Sequence, residues 1–137
     1  MYTIDMKVLQ GYSEDLICEH LCAYVAHRWP GVLFCHVANE GSGSVKRGAR
    51  LKRQGVRRGM CDYLFFARGL NGSSLLALEI KREKGILSKY QKEVLEQLGE
   101  QEGYEAWCAW GYDAAIDVLE NYFNGRPHES RQRKQQF

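Results

Sequence analysis

Two rhythms of apolar and polar residues alternate along this chain. From Ser13 to Trp29 the apolar positions recur at helical spacing: Ile17, Cys18, Leu21 and Val25 fall in one direction at 100° per residue. Ser13 supplies an N-cap, Glu14 and Asp15 occupy the first turn where the helix dipole favours acids, and Pro30-Gly31 ends the run. Residues 32–38 alternate loosely and predict a strand, and Asn39 to Ser44 reads as a flexible connection. Two further strands are predicted over Asp62–Phe66 and Leu75–Lys81. The turn-rich ARGLNGSS segment (67–74) between them makes a hairpin. A helix over Ser88–Gly99, a strand over Glu105–Trp110 and a helix capped by Asp113 and running to Phe123 follow. Residues 124–137 show no apolar period and read as a basic, flexible tail. The order predicts an α/β domain over residues 1–123, with a central mixed sheet flanked by helices.

The strand Leu75–Lys81 breaks its own pattern. Leu-Leu-Ala-Leu precedes Glu79 and Ile80 follows it, so the strand is expected to be buried on both faces. A carboxylate there is costly unless it is paired or metal-bound. Glu79 and Lys81 are two apart and share a face. Asp62 opens the neighbouring strand. Two acids and a lysine delivered to one place suit a hard divalent cation and an activated water, which is the chemistry of phosphodiester hydrolysis. The plainer alternative is a buried Glu79–Lys81 pair, with Asp62 as a turn former. Glu14 points toward the core stripe at the helix start, or else serves only the helix dipole. Gln91 shares a face with Val94, Leu95 and Leu98, yet Ser88-x-x-Gln91 also fits a capping box.

Charge sharpens this picture. The chain has 137 residues and a formal net charge of +2. Residues 46–58 hold seven of the 19 Lys and Arg (Lys46, Arg47, Arg50, Lys52, Arg53, Arg57 and Arg58) and none of the 17 acids. A basic block on an otherwise acidic chain is expected to contact phosphates, and a short helix ending at Gly55 fits within it. The alternative is a solvated segment. With 45% hydrophobic residues a real core is expected. No apolar run reaches membrane length and no secretory signal opens the chain, so a cytoplasmic protein is expected. The five cysteines are odd in number and lack framework spacing, and Cys18, His20, Cys22 and Cys35 do not space as a zinc knuckle; buried free thiols are expected. Tyr63, Phe65, Phe66, Tyr90, Trp107 and Trp110 fall at core spacing rather than as a stacking platform. His20, His27, His36 and His128 receive no role.

The run Gly55-Val-Arg-Arg-Gly-Met-Cys-Asp62, then Glu79-Ile-Lys81-Arg, then Ser88-Lys-Tyr-Gln91 resembles the virus-type replication-repair nuclease (VRR-NUC) domain of the PD-(D/E)XK superfamily. Asn39-Glu40-Gly41, Gly103-Tyr104 and Asp113-Ala-Ala also fit that pattern, and the likeness spans Glu14 to Phe123. Cys61 stands where the superfamily pattern has proline, a position that shapes a turn rather than the chemistry. The resemblance implies a restriction-endonuclease-like αβββαβ core and a Mg2+-dependent endonuclease in which Mn2+ can substitute. Asp62, Glu79 and the Ile80 carbonyl would ligate the metal. Lys81 would orient the attacking water, Glu14 would hold a second metal or its waters, and Gln91 would support the site. Stand-alone members of this type resemble resolvases of four-way (Holliday) junctions that act as homodimers, so the resemblance implies a homodimer acting on branched DNA without a nucleotide cofactor. Cleavage of flaps or linear duplex, or DNA binding without catalysis, are the alternatives.

Overall fold

The fold follows from which stretches can bury an apolar face. In this computed structural model, residues 13–37, 45–129 and 131–137 are described. Helix α1 (Glu14–Arg28) starts where Ser13 Oγ accepts the Leu16 N–H, and it buries the expected stripe Ile17, Leu21 and Val25. Strand β1 (Phe34–His36) is shorter than the expected 32–38 run. The Asn39-Glu40-Gly41 motif and the connection to Ser44 lie outside the described residues. The basic block forms helix α2 (Val45–Arg53), which buries no residue. Strands β2 (Tyr63–Phe65) and β3 (Leu75–Lys81), helix α3 (Lys89–Gly99), strand β4 (Tyr104–Trp110), helix α4 (Tyr112–Asn124) and strand β5 (Lys134–Gln136) follow.

Among the described residues the sheet order is β1-β2-β3-β4-β5, antiparallel except for the parallel β3–β4 pair. This is the mixed αβββαβ arrangement expected from the sequence, an α/β fold. A parallel pair needs a crossover, and α3 supplies it. Every residue of β3 is buried, so the strand is the middle of the molecule. Its alternation divides the core. Leu76, Leu78 and Ile80 pack with Ile17, Leu21, Val118 and Leu119 of α1 and α4. Leu75 and Ala77 pack on the opposite face with Leu95 of α3, Ala106 and Trp110. Glu79 and Lys81 share the parity of this second face.

Three expectations need correction. Asp113 does not cap α4: the helix begins at Tyr112 and its N-cap is Gly111, whose φ of 95° suits glycine. The Gly111 N–H donates to the Lys81 carbonyl at 2.7 Å, so this turn closes directly on β3. Phe66 and Tyr90 are not core, being 47% and 44% exposed, whereas Tyr63, Phe65, Trp107 and Trp110 are buried.

The third correction concerns the segment after Asn124, which is not a free tail. β5 pairs antiparallel with β4 (Trp107↔Gln136, Ala109↔Lys134), and the Phe137 N–H donates to the Ala106 carbonyl at 2.9 Å. Lys134 Nζ lies 2.7 Å from Asp117 Oδ2 with both side chains nearly buried, and His128 Nδ1 lies 2.9 Å from the same oxygen. An edge strand is held by backbone pairing and needs no apolar period, so the hydrophobic pattern does not reveal it. The thiols of all five cysteines are free, but only Cys61 and Cys108 are buried as expected; Cys18 is half-buried, and Cys22 and Cys35 are exposed, since these two lie off the faces that α1 and β1 turn to the core. Among the described residues no helix is long and apolar enough to cross a membrane.

The Lys134–Asp117 pair is expected to hold the C-terminal segment in place. Lys134→Met should destabilise the protein by about 2 kcal/mol, the usual scale for losing a hydrogen bond to a charged group. A lowered urea midpoint, with faster amide exchange at Gln135 and Gln136, would be the measured outcome.

Candidate active site

The site grows out of the β2–β3 register. Tyr63 faces Leu78, so one step further along the ladder Asp62 stands opposite Glu79 on the α3 side of the sheet. Asp62 Oδ2 accepts the Ile80 N–H at 2.7 Å, which replaces the ladder bond that β2 no longer provides. N–H and C=O of one strand residue point to the same side, so the Ile80 carbonyl also faces the gap beyond the end of β2. His36 of β1, adjacent to Tyr63 in the ladder, brings Nε2 to 3.8 Å from Asp62 Oδ1.

Glu79 is 2% exposed and almost enclosed by protein. Its Oε1 accepts from Gln91 Nε2 at 3.0 Å and lies 3.5 Å from Lys81 Nζ. Its Oε2 is buried with no hydrogen-bond partner among the described residues. On the other side of Lys81, Glu14 Oε1 is 3.7 Å from the same ammonium. The five side chains singled out in the sequence, Glu14, Asp62, Glu79, Lys81 and Gln91, thus meet at the end of β3.

Both readings of Gln91 hold together. Its Oε1 accepts the Ser88 N–H at 2.9 Å, and its own N–H donates to Ser88 Oγ at 3.2 Å, which completes the capping box. The amide nitrogen remains for Glu79. The cap therefore orients the site residue, and neither function excludes the other.

The loop before Asp62 is seated on the same helix turn. Gly59 has φ 86°, and a Cβ there would lie 2.6 Å from the Tyr90 carbonyl carbon, so only glycine lets this loop rest on the start of α3. Arg58 then lays its guanidinium on the Tyr90 ring, 4.1 Å from the centroid. Of the basic block, Arg58 is tied to the site in this way. Lys46, Arg47, Arg50 and Arg53 line a shallow concavity on α2, Lys52 is exposed on the same helix, and Arg57 is exposed in the following loop.

Burial, reinforced by the charge of Asp62 and opposed by Lys81, pushes the Glu79 carboxyl up to about 8. Burial also raises Asp62, with the Ile80 N–H, His36 and Lys81 pulling the other way. Asp62 and Glu79 are opposed, and the one ammonium beside Glu79 is shared with Glu14. The pair is under-neutralised and has an orphaned buried oxygen, so the residues present fit a small hard cation. Among the described residues no three His, Cys, Asp or Glu side chains converge as a complete cage. A magnesium-type ion does not need one: it is commonly held by one or two carboxylates and keeps several waters. The neighbouring Cys61 and Cys108 thiols are pushed up to about 12, first by burial and then by the Glu79 charge, so they stay neutral and are poor ligands for a soft metal.

His36 is a contributor to which the sequence assigns no role. Its position becomes meaningful only through the β1–β2 register, for which the sequence carries no spacing signal.

Glu79 gives a pH dependence. With its carboxyl at about 8 when folded against an ordinary 4.5, the folded chain binds more protons than the unfolded one between those values. Metal-free stability should therefore fall as pH rises from 4.5 to 8, by an amount on the order of 2–4 kcal/mol. Glu79→Gln should flatten this slope in urea titrations run with EDTA. An unchanged slope would assign the pH dependence to other groups.

No protein-family model matches the chain, and no curated protein matches it. A solved structure described as a VRR_NUC domain protein is similar to it: 25% identity, a TM-score of 0.68, and coverage of 91% of this chain and 99% of that one. A likeness of that extent takes in most of the mixed sheet and its helices, and it agrees with the family pattern carried by Asp62, Glu79-Ile80-Lys81 and Ser88-x-x-Gln91. On fold and motif order together, the chain is similar to a VRR-NUC domain, a family of the PD-(D/E)XK type.

Proposed function

We propose that this chain is a Mg2+- or Mn2+-dependent endonuclease that hydrolyses phosphodiester bonds in branched DNA, resolving four-way junctions as a homodimer. The single observation that carries the hydrolytic reading is the opposed Asp62–Glu79 pair, with one buried Glu79 oxygen left unpartnered and an ammonium 3.5 Å away. A purely structural Glu79–Lys81 pair would not need a second carboxylate across the ladder. Asp62, Glu79 and the Ile80 carbonyl would hold the cation, with Glu14 completing or supporting a second position. Bound there, the ion would supply Lewis-acid stabilisation of the phosphate oxygens and lower the pKa of water.

The chain's own residues do the rest. Lys81 is held between Glu14 and Glu79, so its N–H donors are fixed where a water or a non-bridging phosphate oxygen can approach. Gln91 locks Glu79 through an amide that is itself fixed by the helix cap. Asp62 is locked by the Ile80 N–H. Such prior orientation is the main protein contribution to phosphoryl chemistry of this kind. Attack of water on phosphorus breaks the bond to the 3′ oxygen and leaves 5′-phosphate and 3′-hydroxyl ends. The exposed arginines and lysines of α2 and the loop after it would hold the DNA backbone without reading sequence. A homodimer would present two such centres to one junction, which suits paired nicks.

Cleavage of labelled junction, flap, splayed-arm and linear duplex substrates with Mg2+, against EDTA controls, tests the assignment. The junction should be cut fastest, and equal cutting of linear duplex would remove the structural specificity. Asp62→Ala and Glu79→Ala should each lower turnover at least about a hundredfold while junction affinity stays within a few-fold. Near-wild-type turnover in either variant would overturn the site. Mg2+ should also raise the melting temperature of the wild type and not that of the two variants. Replacing Lys46, Arg47, Arg50 and Arg53 together should weaken binding and flatten its salt dependence, by about 0.9 in log–log slope for each phosphate no longer neutralised.

A further inference from the structure

The segment after α4 brings an arginine to the site from an unexpected direction. Trp110 of β4 is the register partner of Lys81 and so lies on the same face of the sheet. Its indole N–H donates to the Gly85 carbonyl at 2.9 Å, which fixes the ring just beyond the end of β3. The Trp110 backbone N–H donates to the Arg133 carbonyl at 3.0 Å, and the Arg133 guanidinium lies on the Trp110 ring, 4.0 Å from its centroid. The residue is otherwise exposed. Its charge acts on the Cys108 thiol of β4, as do those of Glu79, Lys81 and Asp62.

An arginine stacked on an indole keeps its N–H edge available. The ring holds one face of the plane, and the donors around the perimeter still point outward. No ion pair within 4.0 Å to an acid is found for Arg133 among the described residues, whereas Arg131 beside it is paired with Glu129 at 3.3 Å. A stacked and oriented guanidinium without a carboxylate partner is a ready phosphate ligand, and stacking reduces the entropy lost when it binds.

The strand order gives this arginine a distinct place. Asp62 lies on the β2 side of β3 and Trp110 on the β4 side, and Arg58 and Arg133 are laid on aromatic rings of different elements, Tyr90 of α3 and Trp110 of β4. We propose that Arg133 is a phosphate-binding residue of the nuclease site, gripping the DNA backbone on the β4 side of the scissile bond while the basic block holds it elsewhere. This rests on the nuclease reading given above and adds to it a contact from the C-terminal strap.

The test compares wild type, Arg133→Ala, Arg133→Lys and Arg133→Met by fluorescence anisotropy on a labelled four-way junction without metal over a salt series, and by cleavage with Mg2+. Wild-type binding and cutting are the control for the nuclease reading itself; if wild type neither binds nor cuts, that reading fails first, and this contact with it. Given an active wild type, Arg133→Ala and Arg133→Met should both weaken binding and lower the log–log salt slope by about 0.9, the value for one phosphate. Arg133→Lys should keep the slope, and melting temperatures should identify any variant that loses fold. Affinity and slope unchanged in Arg133→Met, or weakened binding with an unchanged slope, would overturn the proposal and leave Arg133 as packing on Trp110.

Discussion

A carboxylate on a strand buried along its whole length is the constraint from which the rest of this structure follows. Glu79 cannot keep its charge there without help, and the surrounding elements are arranged to give part of it. β2 stops early enough for Asp62 to take the Ile80 N–H. α1 begins where Glu14 can share Lys81, and α3 begins where Gln91 can reach Glu79. The help is incomplete: one oxygen of Glu79 has no partner among the described residues, and burial still drives its carboxyl far above the ordinary range. Partial neutralisation of this kind costs folding stability, and such strain is typical of places where a protein binds or reacts rather than of places that only hold it together.

The same constraint explains the division of labour between the two faces of the sheet. The face toward α1 and α4 is apolar and well filled, with Leu76, Leu78 and Ile80 at its centre. Its buried acids are well engaged: Glu105 accepts from Asn71 at 2.7 Å and from the Trp107 indole at 2.8 Å, and Glu120 accepts from Tyr24 at 2.6 Å and Arg28 at 3.0 Å, donors that hold the Glu120 carboxyl below the usual range though burial opposes its charge. The face toward α3 is smaller and carries the unbalanced groups. One side supplies most of the burial that holds the fold, and the other carries the cost of the site.

Much of this is legible in the sequence, for physical reasons that can be named. The Leu-Leu-Ala-Leu-Glu-Ile-Lys run is too apolar for a half-exposed strand, so its two charges stand out, and period two places them together. Glu14 and Gln91 are visible because helical periodicity aims them at the core. What cannot be read depends on pairing between distant segments. Lys134-Gln-Gln has no apolar signature, and its strand exists because β4 offers an open edge and Asp117 a counter-charge. His36 gains its neighbour only from register. Phe66 and Tyr90 have core-like residue types, but solvent reaches them where the β2 edge ends and α3 begins. The start of α4 escapes a reading by capping side chains because a glycine backbone angle makes the turn.

The parallel pairing of β3 with β4 also has a kinetic side. The β2–β3 hairpin closes a short loop, so Asp62 and Glu79 can be brought face to face early, whereas β4 must wait for the longer crossover through α3. A chain that closed this hairpin first would bring its two like charges together before α3 arrives with the amide that steadies them. Acidic repulsion would then oppose the hairpin, and divalent ions in the refolding medium should speed that step.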